Sequence, residues 1–549
     1  MQCISIRLRV ESERPVEQVD HALRELLERG CQPLEVSLET DGTLEMHRRN
    51  GLQLLRRLAE ASSVAPLPTQ ELEVTLPALT AETAALILSA FPRLERLKPG
   101  WWEPEEDDPA SLKREKQVHA AFAAALQLLL DGERGAPHLA FLDLLYAPNT
   151  PVVRRALSGA TQLTGLKLGV VDTAEEIQAF TTLTSLRTLE VTCEVDPVLQ
   201  ALLSPLTALT SLRLRGDGHL SPALAGLPRL ASLDYSTGHL DVSVLATLTA
   251  LTKLRVSALT LPEAAGDAFE ALAAPVHPHP WQLPPQLKSI VLDFQAPEPL
   301  YALRSSPVQK LTWFIDRVQL EEDTHLDYSD DDEEGQAVTL TPHGEAALCA
   351  LADFLAGRLD EDSWIGMVTA AEQGSLPIRC VGGAEEAGPG RRSHTVWLEA
   401  MGRAGIPQLE LNCLALNYQD FGALAGHTGL KVLQLGEYLQ YPLSALLSLP
   451  LMPSLERLEL NGDLWCPYTG EDDGRAEAAA AATVLPPDLP GVLTALLCMG
   501  RRLRVDLLYV EDDGPEARAR RVQTALAADV RSSVERLGGD GGRLRARGV

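Results

Sequence analysis

Between Leu163 and Trp313 the chain repeats one short phrase: an apolar residue, two of any kind, an apolar, one of any kind, an apolar. It reads Leu163/Leu166/Leu168, Leu186/Leu189/Val191, Leu209/Leu212/Leu214, Leu230/Leu233/Tyr235, Leu251/Leu254/Val256, Leu287/Ile290/Leu292 and Val308/Leu311/Trp313. Successive phrases start 23, 23, 21, 21, 36 and 21 residues apart, and only the 36 breaks step. No other feature constrains the fold as strongly. In a strand, side chains alternate between two faces, so the last two apolar positions of each phrase point inward while their neighbours point outward. One such strand cannot bury its apolar side alone, whereas copies stacked side by side share a core. The spacing predicts parallel strands, one per period, with the remainder of each period returning the chain by a helix or an irregular turn.

Looser copies extend the pattern in both directions. Leu139/Leu142/Leu144 begins 24 residues before Leu163, and Leu94/Leu97 follows a helical segment from Thr80 to Phe91. Near the start, a strand-like Ile4 to Val10 precedes apolar residues at Val16, Val19, Leu23, Leu26 and Leu27, which is helix spacing. Leu34 to Leu38, Leu52 to Ala61 and Leu72 to Leu76 continue the alternation of strand and helix. Downstream, Ile406/Leu409/Leu411, Leu430/Leu433/Leu435 and Leu455/Leu458/Leu460 resume at 24 and 25 residues. A strand from Leu503 to Val510 and a helix from Glu516 to Leu537 close the pattern.

A phrase of this shape at this period resembles the leucine-rich-repeat superfamily. The resemblance implies an α/β solenoid, a curved horseshoe with parallel strands on its concave face and helices or irregular turns on its convex face. It also implies a function exercised by binding on the concave face. The helical returns at both ends resemble the ribonuclease-inhibitor-like subclass, and the short central units the plant-like one. One departure stands out. Many such repeats place an Asn three residues after the last strand leucine, where it hydrogen-bonds the turn backbone; that slot here holds Val171, Glu194, Asp217, Gly238, Leu259, Gln295 and Asp316. A carboxylate accepts N–H bonds but cannot donate to carbonyls, so the turns must be satisfied in other ways. With 8 Lys against 40 Arg and many Ala and Gly, the coding style resembles that of green algae.

The expected organisation is a solenoid over 1–320 with an acidic loop near 103–111, an acidic linker over 321–336, irregular repeats over 337–510 interrupted by a low-complexity insert at 471–490, and a C-terminal helix with a flexible Gly/Arg tail over 511–549. The run Glu321 to Glu334 holds nine acidic residues in fourteen, a density that cannot pack. Within it Ser329, three residues before Asp332, has the arrangement recognised by acid-directed serine kinases, which makes it a candidate phosphorylation site. The acidic loop is led by Trp101 and Trp102, which either fold back on the core or anchor a partner.

A net charge of −28 argues against nucleic acid or an anionic membrane as the partner of the whole chain. Eight scattered cysteines without CxxC pairs, no apolar signal core at the start and no run long enough to span a bilayer point to the cytoplasm, with the nucleus or a ciliary axoneme as alternatives. There is no GxxxxGK[ST] loop, GxSxG elbow or HExxH pair. His277 and His279 sit between prolines without a third ligand nearby, and Gly382 to Arg392 lacks phosphate-loop spacing. No catalytic residue, cofactor or metal is therefore expected.

The outward positions of the central strands carry six basic residues, Lys167, Arg213, Arg215, Lys253, Arg255 and Lys310, against three acidic ones, Glu190, Asp234 and Asp293. A basic stripe in so acidic a chain would steer a protein partner with an acidic segment; otherwise these are solvated strand faces of mixed sign. The expected function is a non-enzymatic scaffold or substrate receptor, monomeric or in a hetero-complex. The alternative is a repeat-type regulator of an enzyme, GTPase-activator-like or inhibitor-like.

Overall fold

The computed structural model describes residues 5–10, 16–40, 44–75, 79–100, 109–132, 135–147, 149–171, 173–193, 196–216, 221–262, 281–307, 309–318, 339–340, 342–367, 379–380, 394–412, 414, 416–436, 439, 441–461, 488–500, 502–509 and 516–548. They fall into two compact units, Met1–Leu240 with Thr247–Leu251 and Asp241–Ala246 with Thr252–Val549.

In the first unit nine strands follow one another as parallel neighbours: β1 (Ser5–Val10), β2 (Glu35–Thr40), β3 (Glu71–Thr75), β4 (Arg96–Gly100), β5 (Phe141–Leu144), β6 (Gly165–Val170), β7 (Thr188–Thr192), β8 (Ser211–Arg215) and β9 (Ser232–Asp241). The repeated leucines hold this register. Leu166, Leu189, Leu212 and Leu233 lie directly opposite one another, and none is more than 1% exposed. Each such side chain contributes about 1.5–3 kcal/mol by leaving water, so a slip of one residue, which would turn every one outward, is strongly disfavoured.

The repeat is longer than its visible phrase. In five successive units the first apolar residue sends its N–H to a carbonyl three residues back: Leu163 to Ala160, Leu186 to Leu183, Leu209 to Leu206, Leu230 to Leu227 and Leu251 to Leu248. Those earlier residues are buried too. The tight turn satisfies backbone groups that burial would otherwise leave unpaired.

Helix length follows from what the period leaves over. Where the spacing between strands is wide, the returns are Val16–Glu28, Leu44–Val64, Ala81–Ala90 and Pro109–Leu130. In the regular block they shrink to Pro151–Leu157, Ala174–Gln178, Asp196–Leu203 and Ser221–Leu224. Starts are fixed by capping. The Thr80 hydroxyl accepts from the Thr83 N–H, and Thr173 and Glu176 form a reciprocal box in which each side chain accepts from the other's N–H.

In the second unit the strands are β10 (Lys253–Thr260), β11 (Ser289–Gln295), β12 (Thr312–Val318), β13 (Thr339–Leu340), β14 (Trp364–Met367), β15 (Arg379–Cys380), β16 (Gln408–Leu411), β17 (Val432–Leu435), β18 (Arg457–Asn461), β19 (Arg504–Tyr509) and β20 (Leu544–Gly548). β13 and β15 pair with each other; the rest form one parallel series in chain order. The 36-residue step does not disturb register, since Ser289 faces Lys253 and Leu292 faces Val256. The extra length lies between β10 and β11 in the chain.

Composition alone suggests a loose Gly/Arg tail, and here the structure differs. Leu544 is fully buried, and residues 544–548 pair in register with β19. The arginines explain the order: Arg531 donates to the Leu544 carbonyl at 2.9 Å, and the Arg543 guanidinium donates to the carbonyls of Leu497, Gly500 and Leu503. These are carbonyls at and just beyond the end of helix Leu489–Met499, where helical partners run out.

Two helices of this unit, Thr395–Ala404 and Tyr418–Ala425, enclose His427. Its Nε2 lies 2.8 Å from the Leu398 carbonyl, which assigns the proton to Nε2, while Nδ1 is buried without a partner. Burial lowers the pKa of this imidazole, so the folded chain holds it neutral. Its stabilising effect is full above the unfolded pKa near 6.5 and declines as pH falls, by up to about 1.4 kcal/mol per pH unit. Comparing wild type with His427→Gln by denaturant titration at pH 7.5 and 5.5 should show the wild type losing more stability on acidification; equal losses would refute this role.

Candidate functional site

In-register stacking places every outward residue beside its counterpart on the next strand. In the first unit the position between the two inward leucines reads Glu73, Lys98, Asp143, Lys167, Glu190, Arg213 and Asp234 from β3 to β9. Signs alternate along this row. Lys167 lies 3.2 Å from Asp143 and 3.3 Å from Glu190, and Arg213 reaches Asp234 at 2.7 Å. Arg215 meets Glu190 at 3.3 Å from the next position along. Lys98 bonds Glu73, which raises the ammonium pKa.

Glu190 is the centre of this network. Its side chain is 7% exposed, beneath Lys167, Arg213 and Arg215, whose side chains remain 30–49% exposed. Cross-strand pairs of opposite charge contribute about 0.2–1 kcal/mol each. They also fix the rotamers of long side chains that would otherwise be free. Three of the six basic residues singled out from the sequence are thus brought together here, but Asp143, Glu190 and Asp234 balance them. Asp143 escaped the outward tally because its strand precedes the regular block.

The other three lie in the second unit. Arg255 approaches Asp293 at 3.8 Å. Lys253 and Lys310 are exposed and have no ion-pair partner among the described residues. The neighbouring outward surface is apolar: Val291, Phe314 and Trp364 stand opposite one another on β11, β12 and β14, and the rings of Phe314 and Trp364 stack with centroids 6.0 Å apart.

Further along this unit, Arg457 and Arg504 face each other on β18 and β19. With Val432, Glu456 and Arg502 they line an open depression of about 470 Å³. The sequence reading did not reach these arginines, although Arg457 occupies the same outward slot of its phrase as Ser211 does in the regular block. Extending the outward tally to the looser repeats would have found it.

Trp101 and Trp102, His277 and His279, Ser329 with the run Glu321–Glu334, the stretch 382–392 and most of the insert 471–490 lie outside the described residues. Among the described residues no group of three His, Cys, Asp or Glu side chains is placed to hold a metal ion. No helix there is long and apolar enough to cross a membrane.

No protein-family model matches the sequence, and no curated protein matches it. Solved structures with a similar course include an internalin from Listeria monocytogenes (16% identity, 58% of this chain and 81% of that one, TM-score 0.30). Others are a leucine-rich-repeat protein from Leptospira interrogans (14% identity, 73% and 92%, TM-score 0.31) and TLR13 in complex with a single-stranded RNA (13% identity, 92% and 69%, TM-score 0.43). On its own repeated phrase, its single parallel strand per repeat and its in-register leucine ladders, the chain has the leucine-rich-repeat fold.

Proposed function

We propose that this chain is a non-enzymatic scaffold or substrate receptor that binds a protein partner on the outward face of its strands. The observation that carries the reading is the register-matched charge row around Glu190, whose exposed arms are held in place before any partner arrives. A prearranged surface loses less side-chain entropy on association than a free one. The scattered cysteines support the cytoplasm as its compartment.

An acidic partner segment fits the second unit better than the first. Cations of the first unit are already compensated, so Lys253, Arg255 and Lys310 of the second unit offer the less neutralised contacts. Lys253→Glu with Lys310→Glu, both exposed, leaves the core intact. Affinity purification and mass spectrometry on wild type and this double variant should show partners that fall by about tenfold, the equivalent of 1.4 kcal/mol. Identical partner sets with an unchanged melting temperature would remove these lysines from the interface.

A further inference from the structure

Six strands of the second unit bring one outward residue each into a single row: Phe314, Trp364, Gln408, Val432, Arg457 and Arg504, opposite one another from β12 to β19. Its two ends differ in chemistry. One end is a stacked aromatic pair with Phe314 37% exposed, and the other is the depression lined by Arg457, Arg502 and Arg504. Aromatic and arginine side chains are the types most enriched where proteins grip one another.

The arginines retain donor capacity. Arg504 uses Nε and Nη2 on Asp506, which leaves Nη1. Arg457 Nε lies 3.1 Å from Glu459 but is not aligned to donate, so this buried N–H lacks an acceptor. Arg502 is exposed and has no hydrogen-bond or ion-pair partner among the described residues. An anionic group entering here would meet three guanidinium groups whose spare donors match carboxylate or phosphate oxygens. Glu456, exposed at the rim, opposes deep entry of a highly charged ion and favours a group carried on a larger ligand.

Spacing fixes the size of that ligand. Adjacent strands lie about 4.8 Å apart, so Trp364 and Arg457, three steps apart, are separated by about 14 Å; an extended chain covers this in about four residues. We infer that this row binds an extended protein segment carrying a large apolar side chain about four residues from a carboxylate or phosphate group. The inference rests on the scaffold reading and specifies one of its contacts.

Fluorescence anisotropy on the full chain tests it. The probe is a labelled synthetic peptide with one tryptophan about four positions from a glutamate pair. Comparison peptides replace the tryptophan by serine, the glutamates by glutamine, or the glutamates by phosphoserine. The expected result is saturable, salt-sensitive binding that either neutral replacement weakens. The phosphoserine form shows whether phosphate or carboxylate is the better anion. Arg502→Gln, at an exposed side chain without a hydrogen bond or ion pair to any described residue, should raise Kd about tenfold through loss of one charge-assisted hydrogen bond. Phe314→Ala should raise it about fivefold while the chain remains folded, the lost stacking on Trp364 lowering stability only modestly. Equal binding of the glutamine peptide, absence of binding by every peptide, or an unchanged Kd for Arg502→Gln would overturn the inference. Partner capture through Lys253 and Lys310 is read separately, so a failed row with intact capture leaves the scaffold standing, and failed capture with intact row binding does the reverse.

Discussion

Trp313→Ala should destabilise the second unit by about 3–5 kcal/mol, the cost of removing a large buried aromatic side chain and leaving the space unfilled. Trp313 occupies a phrase position where most other repeats carry leucine, and it is 0% exposed. Its ring meets Phe354 edge to face, with centroids 5.4 Å apart, so it joins β12 to helix Pro342–Leu355. Its backbone N–H donates to the Ser363 hydroxyl oxygen at 3.1 Å, tying β12 to the start of β14. In a repeat array stability is the sum of each repeat and its neighbour contacts, so a loss here should spread to β11 and β14. Denaturant unfolding with hydrogen exchange on the same variant measures both. The indole Nε1 is buried without a hydrogen-bond partner. Trp313→Phe discards that unsatisfied donor and keeps the ring, and should cost less than about 1.5 kcal/mol. If alanine costs no more than phenylalanine, the packing role is wrong.

Gln295→Leu should cost about 2–4 kcal/mol, because it strands buried backbone groups, each worth about 1–3 kcal/mol when left unpaired. Gln295 is 1% exposed. Its carbonyl oxygen accepts from the Leu259 N–H at 2.8 Å, while its amide donates to the carbonyls of Leu259 at 3.2 Å and Ala296 at 2.6 Å. Only a side chain that both donates and accepts can do this, as the Asn of better-kept repeats would. Gln295→Glu keeps the acceptor but sets a carboxylate against two carbonyls, so it should also destabilise at neutral pH and recover partly in acid as the carboxyl protonates. Tolerance of leucine without a shift in the denaturation midpoint would refute this account.

That residue also shows where a linear reading stops. Seven slots without Asn read as a missing ladder, yet one of them, Gln295, performs the ladder's hydrogen bonding with a residue 36 positions away. Distance along the chain hid the partner; stacking of β10 on β11 revealed it. The Gly/Arg tail misled in the same way, because composition cannot register that Arg543 finds the free carbonyls near a helix end 40 to 46 residues upstream.

The charge rows are a third instance. The six basic outward residues were legible because alternation in a strand is a local property, and so were the leucine positions that fix register. Which cation sits beside which carboxylate depends on strand-to-strand register, and that turned part of an expected basic stripe into a balanced network around Glu190.

By itself the sequence determined the repeat, the inward and outward assignment of nearly every strand residue, and most helix positions, because period-two alternation and capping are settled within a few residues. Tertiary structure decided what those outward residues do together. It compensated Lys167, Arg213 and Arg215, sealed the turn at Leu259, and gathered Phe314, Trp364, Arg457 and Arg504 into one row, because only stacking brings residues distant in sequence to within about 5 Å of one another.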